Sequence, residues 1–153
     1  MDDAGLRDGL SGGFTVRRVR PDELGRCAAI YVDVLRETFT WVPPDRHREA
    51  DFYRAAREEE IYVAVDAGRI VGLAALFAPQ NFLHSLYVAE RGRGIGKALL
   101  DHICATADGP VSLKCQDKNL RAQAFYAREG FVCLEHGEDA GVGWVRLARV
   151  SET

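Results

Sequence analysis

Between Leu86 and Lys97 the chain reads LYVAERGRGIGK: a short apolar run, glycine at positions 92, 94 and 96, then residues at helical spacing. Few folds accommodate such a stretch. A strand must end where the glycines begin, and a helix must start where they stop. Glycines let successive backbone N–H groups turn inward together, and a helix N-terminus adds about half a positive charge. Arg91, Arg93 and Lys97 add full charges beside them. The sequence therefore calls for a βα unit wrapped around an anion-holding turn.

The ligand of that turn is narrowed by what the spacing excludes. A nucleoside-triphosphate loop needs Ser or Thr after Gly-Lys to hold magnesium, and here Ala98 follows Gly96-Lys97. Arg91 also stands where such a loop has its first glycine. The dinucleotide fingerprint G-x-G-x-x-G fails because the glycines are evenly spaced, and because that loop normally follows the first strand. A glycine-rich turn with no ligand is the bland alternative.

The rest of the chain alternates in a way that suits one α/β domain over residues 14–150, after a flexible start at 1–13. Phe14–Val19 reads as a strand. Pro21, Asp22 and Glu23 open a helix that runs to about Glu37, with Leu24, Cys27, Ala28, Tyr31, Val34 and Leu35 at helical spacing. The run Trp41-Val42-Pro43-Pro44 breaks it, and Asp45–Glu59 reads as a second helix. Strands follow at Ile61–Val65 and Ile70–Phe77, joined by the turn Asp66-Ala67-Gly68-Arg69, and then at Phe82–Val88. Ile95–Ala107 and Asn119–Glu129 read as helices around a strand at Val111–Cys115. Two late strands, Phe131–Leu134 and Trp144–Val150, flank a loop at His136–Gly143.

Composition limits the partners. A net charge of −3 argues against a nucleic-acid surface, which normally carries a clustered basic excess. Arg17, Arg18 and Arg20 are followed at once by Asp22 and Glu23 and read as a solvated strand end. Cys27, Cys104, Cys115 and Cys133 form no C-x-x-C pair, so buried free thiols in a reducing compartment are expected, with no metal. No run approaches the roughly 20 apolar residues of a membrane span, and no signal-like start is seen, so the expected location is cytoplasmic.

A second segment decides between the readings of the glycine turn. Asn119-Leu120-Arg121-Ala122-Gln123-Ala124-Phe125-Tyr126-Ala127-Arg128-Glu129-Gly130-Phe131 resembles N-x-x-A-x-x-F-Y-x-x-x-G-F, and Arg91–Gly96 matches [RQ]-x-x-G-x-[GA]. Together, in that order and with a strand between them, they resemble the GNAT superfamily of acyl-CoA-dependent N-acyltransferases. The resemblance covers about 14–150 and is strongest over 82–132. It implies a mixed, mostly antiparallel sheet of six to seven strands with about four helices, splayed where acetyl-CoA enters between the strands ending at Val88 and Cys115.

The resemblance also implies roles. The backbone of Leu86, Tyr87 and Val88 would pair with pantetheine. Arg91, Gly92, Arg93, Gly94, Ile95, Gly96 and Lys97 would hold the pyrophosphate, and Asn119 the arm, or merely cap its helix. Tyr126 would protonate the departing sulfur, unless it only packs. His84 is the candidate base, since a pKa near 6.5 suits proton removal and Phe82, His84, Leu86 and Val88 should share one strand face. Many relatives instead use glutamate at the position of Phe82, and a core histidine is the competing reading.

The first two helices and their connection should shape the acceptor site, with Tyr31 and Trp41 as contacts, Phe39, Val42 and Pro43 as wall, and Glu58, Glu59 and Glu60 as cation partners. Trp41, Trp144 and the glutamates also have plain packing or solvated readings. The expected function is transfer of an acetyl group from acetyl-CoA to a primary amine, of a small molecule before a protein, by direct attack in a ternary complex. A protein or peptide acetyltransferase and a non-catalytic acyl-CoA-binding domain are the alternatives, and a homodimer is compatible with either.

Overall fold

A computed structural model describes residues 13–149, so all but Gly13 of the segment expected to be flexible lies outside the described residues, as does Val150. Seven strands form one sheet: β1 (Thr15–Arg18), β2 (Glu60–Asp66), β3 (Arg69–Phe77), β4 (Phe82–Val88), β5 (Val111–Gln116), β6 (Phe131–Asp139) and β7 (Val142–Arg149). Their spatial order is β1-β2-β3-β4-β5-β7-β6. Every neighbouring pair is antiparallel except β4 and β5. Four helices cover the sheet: α1 (Leu24–Thr38), α2 (Glu49–Ala56), α3 (Ile95–Thr106) and α4 (Leu120–Arg128).

The β2–β3 hairpin turns where the sequence marks it. Ala67 and Gly68 both have positive φ, 51° and 80°, the twist that a two-residue hairpin requires. The second helix is shorter than expected. A 3-10 turn at Pro44–Arg46 gives way to extended backbone at His47 and Arg48, so α2 starts only at Glu49 and ends at Ala56. The expected loop at 136–143 is mostly strand. β6 and β7 run on to a two-residue turn at Ala140-Gly141, again with positive φ at both positions. Gly137 permits this, because a Cβ there would collide with the Trp144 ring opposite.

Two apolar clusters lie on opposite faces of the sheet. One gathers Leu76, Leu83, Ile95, Leu99, Ile103, Leu113, Tyr126 and Leu147 under α3 and α4. The other gathers Cys27, Ile30, Phe52, Val63, Leu73 and Ala75 under α1 and α2, and draws nothing from β5, β6 or β7. α3 lies directly on β3 at Gly72, where a Cβ would stand 2.7 Å from Ile95 Cγ2. Leu99 is wholly buried there, and its truncation to Ala would cost about 2–5 kcal/mol.

Two features of β4 position the site. β4 and β5 share a single registered pair, Phe82 with Ser112, and diverge beyond it toward Val88 and Gln116. β4 also carries a bulge. Leu76 on β3 pairs with Leu83 while Ala75 pairs with Ser85, which leaves His84 as the extra residue. The shared face expected for Phe82, His84, Leu86 and Val88 is therefore corrected: Leu83, Leu86 and Val88 pack in the α3–α4 cluster, and the even-numbered alternation breaks at His84.

Candidate active site

Where β4 parts from β5, a cavity of about 460 Å³ opens toward α4. Its walls include Leu86, Val88, Arg91, Gly92, Gly94, Ile95, Gly96 and Lys97 on one side, and Asn119, Ala122, Phe125 and Tyr126 on the other. The glycine turn has the shape an anion requires. Gly92 and Gly94 hold φ of 82° and 77°, and the first intrahelical bond of α3 runs from the Ala98 N–H to the Gly94 carbonyl. That leaves the N–H groups of Ile95, Gly96 and Lys97 without intrahelical acceptors at the positive end of the helix.

The cations divide. Arg91 and Lys97 line the cavity, and Lys97 is also paired with Glu129 at 3.0 Å and Asp101 at 3.2 Å. Arg93 does not line it. Its guanidinium binds Glu90 at 2.8 Å and Asp66 at 3.0 Å and lies over the Phe14 ring, tying the turn to the β2–β3 hairpin. Asn119 caps α4, its side-chain oxygen accepting from the Ala122 N–H at 3.2 Å, while also facing the cavity.

Tyr126 is 8% exposed and packs between Phe125 and Phe131. Its hydroxyl has no hydrogen-bond partner among the described residues. Burial, with Cys115 and Tyr87 as titratable neighbours, pushes its pKa far up, so it keeps its proton at neutral pH. Tyr87 points to the other face, against Tyr31, with ring centroids 5.6 Å apart. Of the nominated β4 residues, only Leu86 and Val88 line the cavity with their side chains.

On that other face the bulge brings His84 to Glu59. Nδ1 of His84 lies 2.8 Å from Oε2 of Glu59, whose side chain is 10% exposed against 51% for His84. Burial raises the Glu59 pKa, the nearby Glu58 adds to this, and His84 opposes it. Oε1 of Glu59 is buried without a partner among the described residues. A carboxylate on Nδ1 fixes that nitrogen as the N–H and leaves Nε2 with the lone pair. In sequence Glu59 is one of three helix-end glutamates, and nothing in its spacing marks it as the partner of a residue 25 positions later.

Trp41 reaches over from the α1–α2 connection and donates from Nε1 to the Gln116 side chain at 3.0 Å. Trp144 lies under the Lys114 ammonium instead. Cys27 and Cys115 are buried, burial pushing their thiols up to about 12 and about 11, whereas Cys133 is exposed, contrary to a uniformly buried set. No group of three or more potential metal ligands occurs among the described residues. Phe125 and Glu129, to which the sequence reading gives no site role, line the cavity one helical turn from Ala122 and Tyr126, and the i, i+3 spacing could have found them.

A family model described as the acetyltransferase (GNAT) family matches residues 28–131, which hold the glycine turn, the divergence of β4 from β5 and all of α4. The chain belongs to the GNAT acetyltransferase family. A 5-NmdU N-acetyltransferase of Pseudomonas phage PaMx11 is 36% identical over 88 residues. That match takes in 53% of this chain and spans 61% of the phage protein's length. Among solved structures, a GCN5-related N-acetyltransferase from Rhodopseudomonas palustris superposes with a TM-score of 0.75 at 20% identity, covering 90% of this chain and 95% of that one. The yncA structure from Salmonella typhimurium, solved with its cofactor acetyl-CoA, gives 0.68 at 18% identity, covering 90% and 94%. At these identities the superpositions speak for a shared GNAT fold.

Proposed function

We propose that this GNAT domain transfers an acetyl group from acetyl-CoA to the primary amine of a small molecule by direct attack in a ternary complex. The observation that carries the reading is the parting of β4 from β5. It opens one cavity with an anion-holding turn at one wall and a protonated, otherwise unbonded tyrosine hydroxyl at another. The cavity residues fit acetyl-CoA: free N–H groups of Ile95, Gly96 and Lys97 for phosphate oxygens, apolar Leu86, Val88 and Phe125 for the pantetheine arm, and the two lining carboxylates, Glu90 and Glu129, neutralised by Arg93 and Lys97.

Acetyl-CoA supplies the activated carbonyl; the chain supplies proton handling. An amine of pKa about 10.4 is neutral in only roughly one molecule in a thousand at pH 7, so a base is needed. Nε2 of His84, with Nδ1 held by Glu59, takes the proton as the C–N bond forms. The Tyr126 hydroxyl then donates to the sulfur as the C–S bond breaks, and the products are the amide and free CoA thiol. Tyr31, edge-on to Tyr87, and Trp41, over the end of β5, line the approach of the acceptor.

The test has two parts. Acetyl-CoA should raise the melting temperature by mass action, with NAD and ATP–magnesium far weaker. Release of CoA thiol over a panel of amines, 5-NmdU among them, should then show transfer to at least one small acceptor. Stabilisation by ATP without stabilisation by acetyl-CoA would overturn the reading. Binding without transfer to any small amine would leave an acyl-CoA-binding or protein-modifying domain.

A further inference from the structure

Among the described residues, α1 and α2 cover only half of their side of the sheet, and the other half carries Lys114 and Arg146. A second cavity of about 510 Å³ lies at the foot of the β4–β5 divergence, lined by Gln80, Phe82, His84, Ser112, Lys114 and Arg146. Lys114 and Arg146 are directly opposite one another across the β5–β7 pair, so both side chains leave the same face. The Lys114 ammonium has no carboxylate within ion-pair distance among the described residues; it lies 4.2 Å from the Trp144 ring centroid. Arg146 has one acidic contact, Glu135, at 3.5 Å with both groups well exposed. A pair of neighbouring cations with one loose counter-charge between them repels itself unless an anion joins it.

We infer that the acceptor is an amine that also carries an oxyanionic group, a carboxylate or a phosphate, held between Lys114 and Arg146 while its amine faces His84. This rests on the proposed acetyl transfer and narrows its substrate class. The geometry sets the length of the molecule. β4, β5 and β7 are successive neighbours in the sheet and β4 is already parting from β5 above Phe82 and Ser112, so the backbones of Lys114 and Arg146 stand at least one and two strand spacings from that of His84, more than roughly 5 and 10 Å. The long Lys114 and Arg146 side chains close part of that gap, which leaves room for three to five bonds between nitrogen and the anionic centre. Ser112, buried at the bottom, offers a hydroxyl to the same group, and Gln80 an amide. Arg supplies a planar fork for an oxyanion and Lys a point charge, a pairing that suits carboxylate and phosphate alike.

Matched amines test this: 4-aminobutyrate against butylamine, and 3-aminopropyl phosphate against 3-aminopropanol. CoA-thiol release should show kcat/KM at least about tenfold higher for the anionic member of one pair, carried by KM. Which pair shows it tells carboxylate from phosphate. Lys114→Gln and Arg146→Gln should each shrink that advantage about three- to tenfold, and the double variant should abolish it. Binding is read separately by fluorescence in a Trp41→Phe background, titrated past the severalfold weaker acceptor binding expected of that variant, where Trp144 is the remaining tryptophan and an anion drawing Lys114 off its ring changes the emission. Equal rates within both pairs, or an advantage that survives the double variant, would overturn the inference. So would anionic amines that neither react nor change Trp144 emission in a protein that acetyl-CoA still stabilises; that result spares the cofactor reading. If acetyl-CoA fails to bind, the transfer reading falls, while the fluorescence titration still decides whether the basic face holds the anion.

Discussion

The Trp41 indole N–H donates to the side-chain oxygen of Gln116 at 3.0 Å, a bond between the α1–α2 connection and the last residue of β5. It lays an aromatic roof across the end of the divergence, with Phe39 edge-on behind it. Trp41 is 40% exposed, so water can replace the bond. Trp41→Phe should change stability by at most about 1 kcal/mol. It should raise the acceptor KM severalfold and leave acetyl-CoA affinity alone, as paired titrations would show. A loss of acetyl-CoA affinity instead would place the indole on the other substrate.

Gly94 and Gly96 should fail for different reasons. Gly94 has φ of +77° with open space where a Cβ would go, so Gly94→Val strains the backbone by about 1–2 kcal/mol, whereas Gly94→Asn, which tolerates this region, should recover much of the loss. Gly96 has ordinary backbone and a Cβ would meet Phe125 at 3.5 Å. Gly96→Val should therefore cost little stability but weaken acetyl-CoA binding by obstructing the cavity. Thermal melts with and without acetyl-CoA separate the two, and an unchanged affinity in Gly96→Val would remove the turn from the cofactor site.

Removing the Tyr126 hydroxyl breaks no hydrogen bond within the described residues. Tyr126→Phe should consequently melt close to the parent, since the hydroxyl borders the cavity and no protein bond is lost with it. If the hydroxyl serves the leaving sulfur, kcat should drop about ten- to a thousandfold with acetyl-CoA affinity retained. Full activity would leave Tyr126 as packing.

Glu59 carries a pH signature. Its pKa is raised in the fold mainly by burial, with His84 opposing and Glu58 reinforcing. A carboxyl with a raised folded pKa binds its proton more tightly when folded, so ionisation costs stability: the penalty is absent below the unfolded value of 4.5 and grows as pH rises through the folded one. Glu59→Gln never ionises. Its melting temperature should pull ahead of the parent between pH 5 and pH 8, while kcat falls because the protonated imidazole loses its counter-charge. A variant less stable at pH 8 would mean that the His84 pair outweighs the burial cost.

Sequence made the regular parts legible because their signals are local. The Ala67-Gly68 turn, the apolar stripe of α3 and the Asn119 cap each depend on residues within a turn of one another. What it hid depends on partners far along the chain. The β6–β7 extension looks like a loop because its residues are acidic and exposed, and only Trp144 settling over Gly137 makes it a strand. Arg93 reads as a phosphate ligand until Asp66 is folded beside it. Strand parity gives His84 the wrong direction, since alternation along a strand holds only until a bulge, and a bulge leaves no compositional trace.

That single extra residue splits β4 into two segments that answer to different neighbours. Leu86 and Val88 face the α3 side, whereas Phe82 and His84 face the half-open side that carries Lys114 and Arg146. Exchanging the side chain at 84 therefore leaves the register of the upper segment untouched, and removing that residue would restore regular pairing, with Leu83 and Ser85 keeping their faces and only the imidazole lost. A lineage of such domains can change what it does to its second substrate by insertion, deletion or replacement at one position, with the first substrate's cradle inherited intact.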